Sequence, residues 1–203
     1  MPANRWVLLA LPAALAAAPL AAQDEAGITT LAEVLAAEDA RDGTAGVLPR
    51  AVNDPDPLVR RLAAQAIGRI GDPEGALLLH PLLEDPDTLV QATALFALGL
   101  LRDSASVPRL LERLDPDRPV AKDAAREAVA ALARMGGARA AEWIGRVLRG
   151  VTVLRTPDTV AVVREAAGQA WRLRRAAPVD ALVPLLDHDD LGVREGSWYS
   201  LSQ

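Results

Sequence analysis

Apolar and small residues recur along this chain at the spacing of a helix face, and the same face is written several times. In "VRRLAAQAIGRIG" from Val59, the residues Val59, Ala63, Ala66 and Ile67 stand at 0, +4, +7 and +8, one side of an α-helix. The pattern returns in "VQATALFALGLL" from Val90, "AAREAVAALARMG" from Ala124, "VREAAGQAWRLR" from Val163 and "VREGSWYSLSQ" from Val193. A second amphipathic segment precedes each copy: "GVLPRAVND", "GALLLHPLLED", "SVPRLLERLD", "AAEWIGRVLRG" and "VDALVPLLDHDD". Residues 28–41, "ITTLAEVLAAEDAR", predict an opening helix. The unit is therefore helix A, tight turn, helix B. Such units cannot bury their apolar faces alone and must stack. The expected fold is all-α, an α-α superhelix of about five helix pairs. Residues 23–45 would form an N-terminal cap, and the units would fall at about 46–72, 73–103, 104–137, 138–175 and 176–203, the last one incomplete.

The turns carry their own signals. In "DPDPLV" at 54–59, Asp56 is placed to cap helix B by accepting a backbone N–H. Pro57 then occupies the first helical position, where a missing N–H costs nothing. "DPDTLV" at 85–90, "DPDRPV" at 115–120 and "HDDLGV" at 188–193 repeat or vary the device. Gly71 and Gly136 stand where a left-handed residue closes a helix, and Gly68 and Gly99 lie inside helix B, where a neighbour can approach closely.

Composition agrees with packed helices: 51% of residues are apolar and only 3% aromatic. The net charge of −5, from 22 basic and 27 acidic residues, disfavours nucleic acid, which calls for a concentrated positive surface. The first 22 residues read as an export signal. A short region charged by Arg5 is followed by "VLLALPAALAAAPL", too short to span about 30 Å of hydrocarbon, and then by Ala21-Ala22 before Gln23. That reading implies a bacterial periplasmic or secreted protein with no membrane span after cleavage. Cysteine is absent, which excludes disulfides, thiol catalysis and thiolate metal sites.

The stretch "DPDPLVRRLAAQAIGRIGDPEGALLLHPLLEDPDTLVQATALFALG" at 54–99 resembles the HEAT-repeat family, in the short bacterial form often called PBS-lyase HEAT-like repeats. The likeness extends more loosely over about 28–203, with the third and fifth units degraded and an insert around "RGVTVLRTPDT" in the fourth. The resemblance implies a right-handed α-solenoid whose B helices line the concave side. It also implies a ladder between neighbouring repeats, made by an aspartate in the A–B turn and an arginine early in helix B. Asp56 with Arg60 and Asp190 with Arg194 match that pattern, and Gln91 breaks it in the second unit.

Catalytic groupings are not evident. The aspartate pairs recur one per turn at helix starts, without the closing glutamate of a calcium loop. The densest cluster, Asp187–Asp190 around His188, leaves a metal there open. HEAT-repeat hydroxylases bind iron through His-Glu pairs, but His80 is followed by Pro81 and His188 by Asp189. DNA glycosylases of this repeat class need a basic groove. Bilin lyases carry related repeats, yet an export signal and the lack of cysteine argue against pigment attachment. No cofactor is expected.

Partner binding is the stronger expectation. Aligning the B helices puts Ala64, Leu95, Val129, Gly168 and Trp198 in one column and Gln65, Phe96, Ala130, Gln169 and Tyr199 in the next. Both columns should face away from the core, so Leu95-Phe96 and Trp198-Tyr199 would form exposed apolar pairs, which mark contact sites. Arg61, Arg69, Arg126 and Arg172 would edge the same face. The expected function is an exported, non-catalytic HEAT-type scaffold that binds a protein or peptide on its concave side. The alternative is the substrate-positioning arm of a longer exported enzyme such as a peptidyl-prolyl isomerase, because the chain stops at Gln203 inside a B helix and is expected to continue.

Overall fold

The computed structural model describes residues 20–42, 46–114, 117–150, 156 and 158–203. The export signal read in residues 1–22 lies outside them apart from its last three residues, and the insert near residue 155 lies largely outside. Among the described residues every element is helical: α1 Leu20–Ala40, α2 Leu48–Ala51, α3 Pro57–Ile70, α4 Ala76–Leu79, α5 Thr88–Leu101, α6 Val107–Arg113, α7 Lys122–Met135, α8 Ala138–Leu148, α9 Thr159–Gln169, α10 Val179–Leu182 and α11 Leu191–Ser202. The odd-numbered helices form one layer, each stacked on the next, and the short even-numbered helices cover its other side. The chain is an all-α superhelix.

Local chemistry sets these boundaries. Asp56 accepts the Leu58 N–H at 2.8 Å and starts α3, with Pro57 in its first turn. Asp87 accepts from Leu89 and Val90, and Asp190 from Val193, in the same role for α5 and α11. The expectation for "DPDRPV" was different from the outcome: α7 starts only at Lys122, behind Ala121 and without a side-chain cap. Pro119 has no N–H to give to a first turn and restrains the residue before it. Gly71 ends α3 in the left-handed conformation, φ 80°. Two of the expected A helices are split. Pro81 and Pro184 interrupt "GALLLHPLLED" and "VDALVPLLDHDD", leaving α4 and α10 one turn long beside 3-10 turns Pro81–Glu84 and Val183–Asp187.

The core lies between the layers. Val59, Ala63 and Ile67 of α3, Val90, Ala94 and Leu98 of α5, and Ala124, Ala128 and Leu132 of α7 are buried against Leu48, Leu79, Leu110 and Ile144 of the short helices. Each such leucine or isoleucine removed from water stabilises the fold by about 1.5–3 kcal/mol. Along the long-helix layer the contact is backbone-close. A Cβ on Gly68 would stand 2.7 Å from the Ala97 Cα, and one on Gly99 would stand 2.9 Å from the Ala131 Cα.

An ion-pair ladder between neighbouring repeats ties the turns together, as the resemblance implied, although the aspartate and arginine within one unit do not bond each other. Arg60 does not pair with Asp56, which is engaged in capping. Its guanidinium reaches forward to Asp85 at 2.7 and 2.8 Å and holds its own turn through the Asp54 and Pro55 carbonyls. Asp190 pairs with Arg164 at 2.6 Å, and Arg194 binds the His188 and Asp189 carbonyls instead. Gln91 keeps the carbonyl bond, to Asp85 at 2.6 Å, and lacks the forward ion pair. Burial pushes the Asp85 carboxyl up, but the Arg60 hydrogen bonds, the Asp87 N–H and the Arg60 charge outweigh it and hold it below its ordinary 3.8. The half-buried Asp190 carboxyl is held at about 2, chiefly by its hydrogen bond from Arg164.

Two predictions follow from the packing and the ladder. Gly68→Ala should destabilise, because overpacking against the Ala97 backbone costs about 1–3 kcal/mol and outweighs the gain in helix propensity. Gly168→Ala, whose Cβ meets nothing within 4 Å, should stabilise by up to about 1 kcal/mol; paired thermal melts check both signs. Asp85→Ala strands the Arg60 guanidinium, whose side chain is 12% exposed, and should cost about 3 kcal/mol at neutral pH. Because the folded Asp85 pKa is depressed, its contribution is complete above the unfolded value and fades as pH falls through the folded one. Denaturant titrations should therefore show the wild type losing its advantage over Asp85→Ala in acid.

Candidate partner-binding face

The side of the long-helix layer turned away from the short helices is open. The two sequence columns expected on it separate in space. Ala64, Leu95 and Val129 point along the stack and are buried under the next long helix; Leu95 is only 3% exposed. The expectation that Leu95 is an exposed contact residue is therefore corrected: a position 100° around the helix from the core side meets the neighbouring repeat. Trp198 occupies the same column in α11 and is 66% exposed. The neighbouring column does line the open face, where Gln65, Phe96 and Gln169 are half-buried and Tyr199 is exposed, while Ala130 is buried.

Four of the expected residues meet in one groove of about 290 Å³ between α3, α5 and α7. Arg61, Gln65, Arg69 and Phe96 line it with Leu89 and Glu127. The Gln65 side-chain amide lies against the Arg69 guanidinium, Arg69 pairs with Glu38 of α1 at 2.9 Å, and the Arg134 guanidinium lies 5.5 Å from the Phe96 ring centre. Leu58 and Leu89 continue the apolar surface toward the turns.

A second groove of about 590 Å³ runs between α7, α9 and α11 and includes Arg126, Gln169 and Tyr199. Its wall is a connected chain of polar contacts. Arg126 bonds Glu165 at 3.1 Å, Gln169 donates to Glu165 at 2.9 Å, and Arg172 donates to Gln169 at 2.6 Å. Arg172 stacks over Trp171 at 4.6 Å, and Tyr199 meets Trp171 edge-on at 6.2 Å. Burial first, then the nearby Arg134 and Arg102 charges, lower the Arg172 pKa.

Sequence reasoning missed several members of this face. Ile28 and Leu35 of α1 are 65% and 54% exposed; they repeat at i and i+7, one turn from Glu38, and that spacing was the available signal. Leu58 and Leu89 stand two residues after the capping aspartates Asp56 and Asp87. Glu127 is half-buried in the first groove, and its pKa is raised, mainly by burial, against the pull of Arg134.

The remaining chemical candidates are engaged in structure. His80 Nε2 bonds Ser106 Oγ at 2.7 Å, and that hydroxyl donates to Asp103 at 2.6 Å. The serine stands between imidazole and carboxylate, with its proton directed to Asp103 and its side chain buried. That order is opposite to the hydroxyl–imidazole–carboxylate order of an activated nucleophile. Burial, reinforced by Arg109, lowers the His80 pKa. In the cluster at 187–190, His188 Nδ1 accepts the Asp190 N–H and Asp190 caps α11. Among the described residues no group of three or more His, Asp or Glu is placed to hold a metal ion, and no helix is long and apolar enough to cross a membrane.

These features define a stacked helical-repeat protein, and the comparisons with known proteins agree. Residues 44–130 match the family model of HEAT repeats. The fold resembles a chain in the complex of CpcE and CpcF of phycocyanin lyase from Nostoc sp. PCC7120, with a TM-score of 0.57 and 24% identity over 99% of this chain and 79% of that one. It also resembles two engineered proteins. One has a TM-score of 0.53 and 22% identity over 93% of this chain and 94% of that chain; the other has 0.50 and 20% over 93% and 92%. No curated protein matches the sequence.

Glu127 offers a direct test of the groove's electrostatics. A raised folded pKa means that the charged form is disfavoured in the fold, with a penalty that appears as pH rises through that pKa. Glu127→Gln should therefore raise the melting temperature at pH 7 and leave it unchanged near pH 4.

Proposed function

We propose that this chain is an exported, non-catalytic helical-repeat scaffold that binds a protein or peptide along the open face of its long helices. One observation carries the reading: eight of the ten residues singled out by repeat alignment fall on this face, seven lining the two grooves and Arg172 bonded to their wall. The grooves combine apolar positions, Leu89, Phe96 and Tyr199, with the cations Arg61, Arg69 and Arg126. That mixture suits a segment with apolar anchors flanked by carboxylates, held by side chains that lose little freedom on binding. The fold likeness to a phycocyanin lyase subunit found in complex with its partner supports a binding role for stacked repeats of this kind. The non-catalytic part of the reading draws on the engaged state of Ser106, His80 and Asp103.

Export predicts a mature amino terminus at Gln23, read by mass spectrometry of the protein from its own host; a chain beginning at Met1 in the soluble fraction counts against it. For binding, envelope extract would be passed over wild type, an Arg61→Glu/Leu89→Glu variant and a Leu77→Glu variant. Leu77 is 72% exposed on α4, in the short-helix layer. Recovery of the partner should fall at least about tenfold, worth about 1.4 kcal/mol, with the double variant and stay unchanged with Leu77→Glu. Equal recovery from all three would remove the open face as the site.

A further inference from the structure

Four of the long helices close on a left-handed residue: Arg41 after α1, Gly71 after α3, Arg102 after α5 and Gly136 after α7. Counting back from these residues aligns the helix ends. Two residues before closure stand Arg69 in α3 and Arg134 in α7, and three before it stand Glu38 in α1 and Gly99 in α5. Arg69 reaches back to α1 and pairs with Glu38 at 2.9 Å. Arg134 reaches back to α5 in the same way. Its guanidinium lies 5.5 Å from the Phe96 ring centre, and its Nη1 stands 3.1 Å from where a Cβ on Gly99 would be. The glycine leaves Arg134 without the carboxylate that Glu38 gives Arg69, and this buried Nη1 has no hydrogen-bond partner.

Two further cations gather there. Arg102 follows Gly99 by three residues and is exposed, and Arg172 lies half-buried over Trp171 at 4.6 Å. The three are close enough that, after burial, the Arg134 and Arg102 charges lower the Arg172 pKa. Among the described residues none of them forms an ion pair with a carboxylate, and none donates to a helix-end carbonyl as Arg41 does to Ile70. Glu127, two turns back on α7, feels the Arg134 charge without pairing with it.

We propose that Arg102, Arg134 and Arg172 form an oxyanion site at the ends of α5 and α7, taking a compact dianion, either a pair of carboxylates or a phosphate group. Guanidinium forks match both groups through paired N–H donors. Like charges held together without a counter-ion repel one another, and an oxyanion placed among them removes that repulsion. The Phe96 and Trp171 rings hold two of the guanidinium groups in place, so little freedom is lost on binding. The site adjoins the open-face grooves but does not depend on them, because a small free anion suffices to fill it.

Arginine Nε–H signals of the full chain, followed by NMR through titrations with malonate and with inorganic phosphate at constant ionic strength, test the site. The Arg134 and Arg172 signals should shift saturably, and whichever anion binds more tightly identifies the group as a carboxylate pair or a phosphate. Arg102→Gln, a change at an exposed position, should weaken that anion at least about tenfold, as loss of a charged hydrogen-bonding group does. Arg134→Met should abolish the Arg172 shift, and Arg109→Gln, on the short-helix side, should titrate as wild type does. Wild-type signals that drift without saturating for either anion overturn the proposal. Arg102→Gln binding both anions as tightly as wild type overturns it as well, since the fold of that variant is not in question.

Discussion

The close approach of successive long helices is the constraint on which the structure depends. Gly68 and Gly99 bring the α3 and α5 backbones within reach of Ala97 and Ala131, at distances a Cβ would not tolerate. That approach fixes the repeat spacing in the stack. It leaves each long helix with three neighbours or exposures at once: its own short helix, the adjoining long helices, and an open side. The Ala and Leu richness follows from it, since small residues fit the points of closest backbone approach and leucines fill the space against the short layer.

The last seam is built differently. Between α9 and α11 the small residues are Gly168, Gly196, Ser197 and Ser200, and α9 gives way at Ala170 to a 3-10 segment running to Ala176. Ser200 bridges the change, donating to the Ala167 carbonyl and accepting the Trp171 N–H at 3.2 Å. The carbonyl and amide released by the break in the helix are thus satisfied by a neighbouring repeat, as buried polar backbone requires. The same break swings Trp171 and Arg172 to the edge of the open face, where Tyr199 and Gln169 hold them. A deviation from regular repeat geometry therefore makes the wall of the larger groove.

Charge has a matching division of labour. The paired aspartate and arginine at Asp85 and Arg60 are almost wholly buried and tie one turn to the next, whereas the pairs on the open face, such as Arg126 with Glu165, remain partly exposed. Exposed pairs contribute little to stability and can exchange partners at small cost.

Much of this was legible in the sequence. The period-3.6 pattern, the aspartate turns and the interior glycines pointed to the long helices and to the caps of α3, α5 and α11, though not to the uncapped start of α7, because each is a local preference of the backbone or a single helix face. The split of α4 and α10 was also available, since Pro81 and Pro184 stand in plain view. Leu95 shows where local reading stops: a helical wheel separates core side from outer side, but it does not say that part of the outer side lies under the next repeat. The partner of Arg60 is a similar case, because Asp56 and Asp85 are equally near in pattern and only the stack shows that one is already engaged in capping. Helix and turn follow from interactions within a few residues. Which polar or apolar side chain remains open is decided by the neighbour that arrives 30 or so residues later, and that is a property of the tertiary structure alone.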